Sequence, residues 1–216
     1  MDKNPSYNEL LKFLADGDFE QKHFALTFID SLKNPEDIKL FINNLVDNDT
    51  KIRELASFRT NDFILENNNL MSFLDENSEI ILRTIDDVNP QVCRNSCFLL
   101  NLSKNKTYLG EKILNKLEIL TEKTRTIRFK THKTSKDIFN LYWNFFAIEN
   151  LIDQNFEHAP KLKQILELTA IYKDYTIRER TAFLTKKLLS SGFAEINPIF
   201  EQLKNDDNFY VCKALF

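Results

Sequence analysis

Cys93 and Cys97 stand four residues apart, one turn of a helix, which is a spacing two metal ligands on one face could use. A structural zinc site wants four ligands, and no histidine or second cysteine pair lies near them. They read instead as small buried thiols, in keeping with the preference of cysteine for interiors. His23, His132 and His158 are scattered and form neither an HExxH motif nor a repeated His-Glu pair. Asp86/Asp87 and Asp206/Asp207 are paired carboxylates, but both pairs fall where turns are expected. There such residues cap helices or face water far more often than they act as acid and base. No GxSxG motif, phosphate-binding loop or dinucleotide fingerprint is present. Catalysis has no positive sign in the sequence, and neither a metal nor a cofactor is expected.

Two stretches have the composition of contact surfaces. From Lys104 to Lys136 there are ten Lys/Arg and three acids, and Lys123, Arg125, Arg128, Lys130, Lys133 and Lys136 interleave with threonines, Phe129 and His132. This mixture suits a solvated loop, an acidic protein partner, or nucleic-acid phosphates with Phe129 stacking on a base. The run Ile138–Ile152, IFNLYWNFFAIENLI, is apolar on every face except Asn140, Asn144, Glu149 and Asn150. A helix apolar all round is normally buried, which assigns Tyr142, Trp143, Phe145 and Phe146 to a core. Aromatic clusters are also where interfaces concentrate energy. The candidate partner-binding residues are therefore Arg125, Arg128, Lys130, Lys133, Lys136, Tyr142 and Trp143. Asn140 and Asn144 share one face, either as the polar handle of a groove or as ordinary solvent-exposed residues.

The elements that must position these residues are helices. Only three glycines and five prolines occur in 216 residues, whereas hairpins depend on glycine to reach positive φ. With 43% hydrophobic and 28% charged residues the composition is that of an ordinary globular chain. Residues 1–100 carry 10 Lys/Arg against 18 Asp/Glu and residues 101–216 carry 19 against 14, so an acidic part precedes a mildly basic one. The odd number of cysteines, with no CxxC and no secretory signal, fits a reducing, cytoplasmic setting. No run approaches the ~18 apolar residues of a membrane span.

Internal repetition decides the architecture. Asp18, Asp49, Asn89, Asp174 and Asn208 can each cap a helix, with Gln21, Ile52, Val92, Ile177 and Val211 three residues on. In four of these units a small residue or threonine follows at Ala25, Ala56, Ser96 or Thr181. The anchors step by 31, 40, 85 and 34 residues, and the double step leaves room for an unmarked unit near residue 136. An amphipathic stretch precedes each anchor: Tyr7–Leu14, Ile38–Val46, Glu79–Ile85, Leu162–Ile171 and Ile199–Leu203. Pro5, Pro35, Pro160 and Pro198 stand before such stretches, where proline suits a first helical turn. Asn4, Asn34 and Asn197 precede three of them as candidate caps.

On DNDTKIRELA (47–56), VNPQVCRNSC (88–97), KDYTIRERTA (173–182) and, more loosely, DGDFEQKHFA (16–25), the chain resembles the HEAT-like repeat family. The short HEAT repeats of phycobilisome-lyase-type proteins are among its members. The likeness covers nearly the whole chain and implies an all-α, right-handed superhelix, a solenoid of about six antiparallel helix pairs. The reading is one domain over residues 1–216 with a basic inter-helix loop at about 123–136. In the family a basic residue follows the apolar position, as Lys22, Arg53 and Arg178 do here, and the resemblance implies that these bond between repeats. Cys93 and Cys212 depart from that pattern. The last unit reaches Phe216 inside its second helix, an end that is either covered by a partner or frayed. The function implied is a non-catalytic scaffold or adaptor that holds a protein or peptide on its curved surface, with no membrane association. Two alternatives are a HEAT-type bilin lyase subunit or phycobiliprotein chaperone, and a nucleic-acid-binding protein like the DNA-alkylation-repeat group. The latter uses several tryptophans, where this chain has one.

Overall fold

Five polar side chains open five helices in the computed structural model, which describes residues 5–125 and 136–216. Asp18, Asp49, Asn89, Asp174 and Asn208 each accept a first-turn backbone N–H through the side chain. They thereby satisfy donors that a helix start leaves without an intrahelical partner. Every regular element among the described residues is helical, and none of these helices is long and apolar enough to cross a membrane.

The chain divides into two compact units, residues 1–104 and 105–216. The first holds α1 (Tyr7–Asp16), α2 (Phe19–Phe28), α3 (Ile38–Asn44), α4 (Thr50–Glu66), α5 (Met71–Glu76), α6 (Ser78–Thr84) and α7 (Pro90–Leu102). These make three pairs: α1 with α2, α3 with α4, and the broken helix α5–α6 with α7. The second helices pack in series, α2 on α4 and α4 on α7. Asn77 breaks the first helix of the third pair. Its backbone leaves the helical region, and its side-chain amide donates to the Phe73 carbonyl at 2.7 Å.

The second unit holds α8 (Lys106–Arg125), α9 (Lys136–Glu149), α10 (Ala159–Thr169), α11 (Tyr175–Ser190), α12 (Asn197–Lys204) and α13 (Phe209–Ala214). They again form three pairs, with α9, α11 and α13 packed side by side and α8 on α10. Helix α9, described from Lys136 onward, lies where the doubled repeat step left a place for it. Helix α8 runs on through Lys123 to Arg125, so the expected loop at 123–136 gives up residues at both ends to helices. Its middle, with Arg128, Lys130 and Lys133, lies outside the described residues.

The repeat register explains the core. Ile52, Val92, Ile177 and Val211, three residues after their caps, are completely buried, and so are Ala25, Ala56, Ser96 and Thr181 seven residues after theirs. Close helix packing leaves room there only for a small side chain or one with its own hydrogen bond. Ser96 donates to the Val92 carbonyl at 2.8 Å, and Thr181 Oγ1 lies 2.9 Å from Thr169 Oγ1 on α10. Gln21 departs from the apolar pattern because it has another task, accepting the Asp18 backbone N–H in a reciprocal cap.

Of the expected asparagine caps, Asn4 lies outside the described residues and Asn34 holds the cap position before the short Pro35–Asp37 helix. Ser6 caps α1 reciprocally with Glu9, and the Asp37 carboxylate accepts the Asn34 N–H at 3.2 Å. Asn197 is itself the first residue of α12. Pro35, Pro160 and Pro198 do occupy first turns.

Candidate functional site

The cations of the repeated motif are used inside each unit. Lys22 Nζ meets Asp47 Oδ2 at 2.6 Å. Arg53 grips Asp87 with Nε at 2.5 Å and Nη2 at 3.0 Å, while its Nη1 donates to the Asp47 carbonyl at 2.8 Å. Arg178 repeats this on Asp206 at 2.7 and 2.9 Å, with Nη1 donating to the Tyr172 carbonyl at 2.6 Å. Each arginine therefore ties the turn of its own pair to the carboxylate of the next, whereas Lys22 reaches the next carboxylate alone. Asp47, which burial alone would raise, is held below the usual aspartate range by Lys22, the Asp49 N–H and Arg53.

At the equivalent positions of α7 and α13 the thiols of Cys93 and Cys212 donate to the carbonyl six residues earlier, at 3.1 Å in both cases. Burial, with the nearby Asp87 charge, pushes the Cys93 thiol up to about 12. It is an unreactive group at neutral pH.

A cavity of about 310 Å³ borders the Arg53–Asp87 joint, lined by Asp47, Arg53, Asp87 and neighbouring turn residues. Its central charges are already engaged with one another. No group of three or more His, Cys, Asp or Glu among the described residues could hold a metal ion.

A second cavity, about 340 Å³, lies between α9 and α11 and has a different chemistry. Helix α9 contributes Ile138, Phe139, Tyr142 and Trp143, whose i, i+1, i+4, i+5 spacing puts them on one face, and the first turns of α11 contribute Thr176 and Glu179. The rings pack edge to face, Tyr142 on Trp143 at 5.4 Å between centroids and Phe139 on Trp143 at 6.2 Å. Beside them Arg180, only 6% exposed, pairs with Glu149. Its guanidinium lies 5.4 Å from the Tyr142 ring centre, 4.8 Å from Phe146 and 5.1 Å from Phe183. Glu179, raised by partial burial against the opposing field of Arg180, makes no hydrogen bond or ion pair among the described residues.

Of the residues singled out in the sequence, Tyr142 and Trp143 stand together in this wall. They are half-buried, whereas Phe145 behind them is fully buried. Arg125 lies in the last described turn of α8 and Lys136 in the first described turn of α9, both exposed. Asn140 and Asn144 are neither solvated nor a groove handle: both are buried, with the Asn144 amide donating to the Asn140 carbonyl at 2.8 Å. Packing of α9 against both α8 and α11 covers that face.

Sequence reasoning passed over Thr176, Glu179 and Arg180. Arg180 is the sixth residue after the cap Asp174; of the corresponding residues Asn95 and Ala214 are buried, but Leu55 is half-buried and Phe24 exposed, so the register alone did not mark it.

No protein-family model matches the chain, and no curated protein sequence does. Among solved structures it is similar to a designed armadillo repeat protein in complex with the peptide (KR)4. The TM-score is 0.53 at 15% identity, over 98% of this chain and 97% of that one. It is also similar to an engineered protein at a TM-score of 0.49 and 14% identity, covering 97% and 93% of the two chains. Likeness at such identity concerns the fold. The chain is an all-α protein of armadillo/HEAT-like helical repeats, of the α-solenoid class.

Proposed function

We propose that this protein is a non-catalytic scaffold that holds a protein or peptide segment on the second helices of its repeats, with the α9–α11 cavity as an anchoring point. The observation that carries this reading is the cavity of about 340 Å³ walled by Phe139, Tyr142 and Trp143. Open, aromatic-walled pockets of this kind are where interfaces seat their anchors. The volume is near the lower end of the ~300–1,000 Å³ of ligand sites, a size for a side chain. The similar designed armadillo repeat protein was solved in complex with a peptide, which supports the reading.

The test is retention of partners from a lysate of the source organism at moderate salt, with and without nuclease, comparing the native protein with Tyr142→Ala. Thermal melts would establish that the variant is folded. A protein retained stoichiometrically, insensitive to nuclease and bound on the order of 30-fold more weakly by Tyr142→Ala, is the expected result. Retention that depends on nucleic acid, a bound visible chromophore, or indifference to Tyr142→Ala would overturn it.

A further inference from the structure

We propose that the α9–α11 cavity receives the guanidinium of an arginine side chain from the partner, in contact with the mutually perpendicular rings of Tyr142 and Trp143 and with its charge met by Glu179. This rests on the docking reading above and names the chemistry of what docks.

The two non-aromatic polar side chains of the wall are both acceptors. Thr176 donates its hydroxyl hydrogen to Asp174 Oδ1 at 2.6 Å, so toward the cavity its oxygen can only accept. Glu179 is a carboxylate with no hydrogen bond or ion pair among the described residues, partly withdrawn from water. The indole N–H of Trp143 is itself buried. An occupant that satisfies the wall must therefore bring N–H donors. An apolar side chain would complete the desolvation of Glu179 and Thr176 and leave both without partners.

The aromatic faces narrow the choice further. Their quadrupoles favour a cation, and a planar guanidinium can stack on rings while its N–H groups reach a carboxylate. The same helices already accommodate one such group, since Arg180 lies among Tyr142, Phe146 and Phe183 with its charge on Glu149. The cavity offers on its open side a similar combination of rings and carboxylate, with no cation in hydrogen-bonding reach of Glu179 among the described residues.

Trp143 is the only tryptophan in the chain, so its fluorescence reports on this wall alone. The intact protein would be titrated with three acetylated, amidated pentapeptides of glycine carrying a central arginine, citrulline or norleucine. The expected result is a saturable change in emission with the arginine peptide, about tenfold weaker binding of the isosteric, uncharged citrulline peptide, and a similar loss for arginine in Glu179→Gln. That substitution keeps the side-chain shape, and an unchanged thermal melt would verify the fold.

Equal affinity for arginine and citrulline, or an unaffected Glu179→Gln, overturns the assignment while leaving the docking reading in place. Silence of Trp143 toward all three peptides, combined with partner retention indifferent to Tyr142→Ala, removes both.

Discussion

Arg178 makes five hydrogen bonds at once: two to the Asp206 carboxylate, one to Asp207 at 2.9 Å, and one each to the Tyr172 and Lys173 carbonyls. Methionine in its place keeps much of the aliphatic bulk but leaves Asp206, whose side chain is 9% exposed, without its counter-charge. Arg178→Met should cost about 2–3 kcal/mol in urea unfolding. The pH dependence carries a second signature. The hydrogen bond from Arg178 holds the Asp206 carboxyl below its usual range, so the folded state binds its proton less readily than the unfolded chain, whose aspartates titrate near 3.9. This contribution is complete above about pH 4 and drains away as pH falls through the folded value. The native protein should thus lose more stability than Arg178→Met between about pH 6 and pH 3. Equal losses in both would show that the pair contributes nothing to acid sensitivity.

Helices in this chain are positioned by a local signal at the start and a steric one at the middle. Ala56 illustrates the second: it is fully buried in α4, which packs on α2, α3 and α7. Ala56→Leu would force those helices apart and should destabilise by about 1–3 kcal/mol. Leucine at the half-buried Leu55 position next to it is native, so sequence context at the site is not the obstacle. A midpoint unchanged in Ala56→Leu would mean that the small residue is not what sets the helix spacing. The caps and small positions were legible in the sequence because both act within one or two turns. Residues that depend on a neighbouring pair were less so. Tyr142 and Trp143 read as core or as interface from the composition of α9, and only the placement of α11 leaves them half-buried around a cavity. Glu179 lies 36 residues beyond Trp143 in the chain, with nothing local to mark it. Asn140 and Asn144 looked solvated because they are polar, but α9 is packed on both sides. The break at Asn77 also went unforeseen, since the surrounding residues favour helix and the interruption comes from a single side-chain bond to the backbone.

At the scale of the molecule, stability in stacked pairs is a sum of contributions from each pair and its nearest neighbours. The division into units of residues 1–104 and 105–216 gives this a measurable form, because Trp143 falls in the second. Arg178→Met should lower the urea midpoint followed by tryptophan fluorescence. Arg53→Met, whose contacts to Asp87 and Asp47 lie wholly in the first unit, should leave that midpoint in place and shift only part of the far-ultraviolet ellipticity. Equal displacement of both signals by both variants would show that the two units unfold as one.

The rungs formed by Lys22 with Asp47 and Arg53 with Asp87 begin in one pair and end in the following one. Each pair is in that sense a link with an eye at its turn and a hook in its second helix. Excising the whole link α3–α4 leaves the hook of Lys22 opposite the eye of Asp87, and copying it supplies one new eye together with one new hook. Lengthening or shortening by whole links is therefore electrostatically silent along this stretch, while insertion of half a link strands a guanidinium with nothing to hold. A gene that gains or loses material here by unequal exchange would keep only the first kind of product.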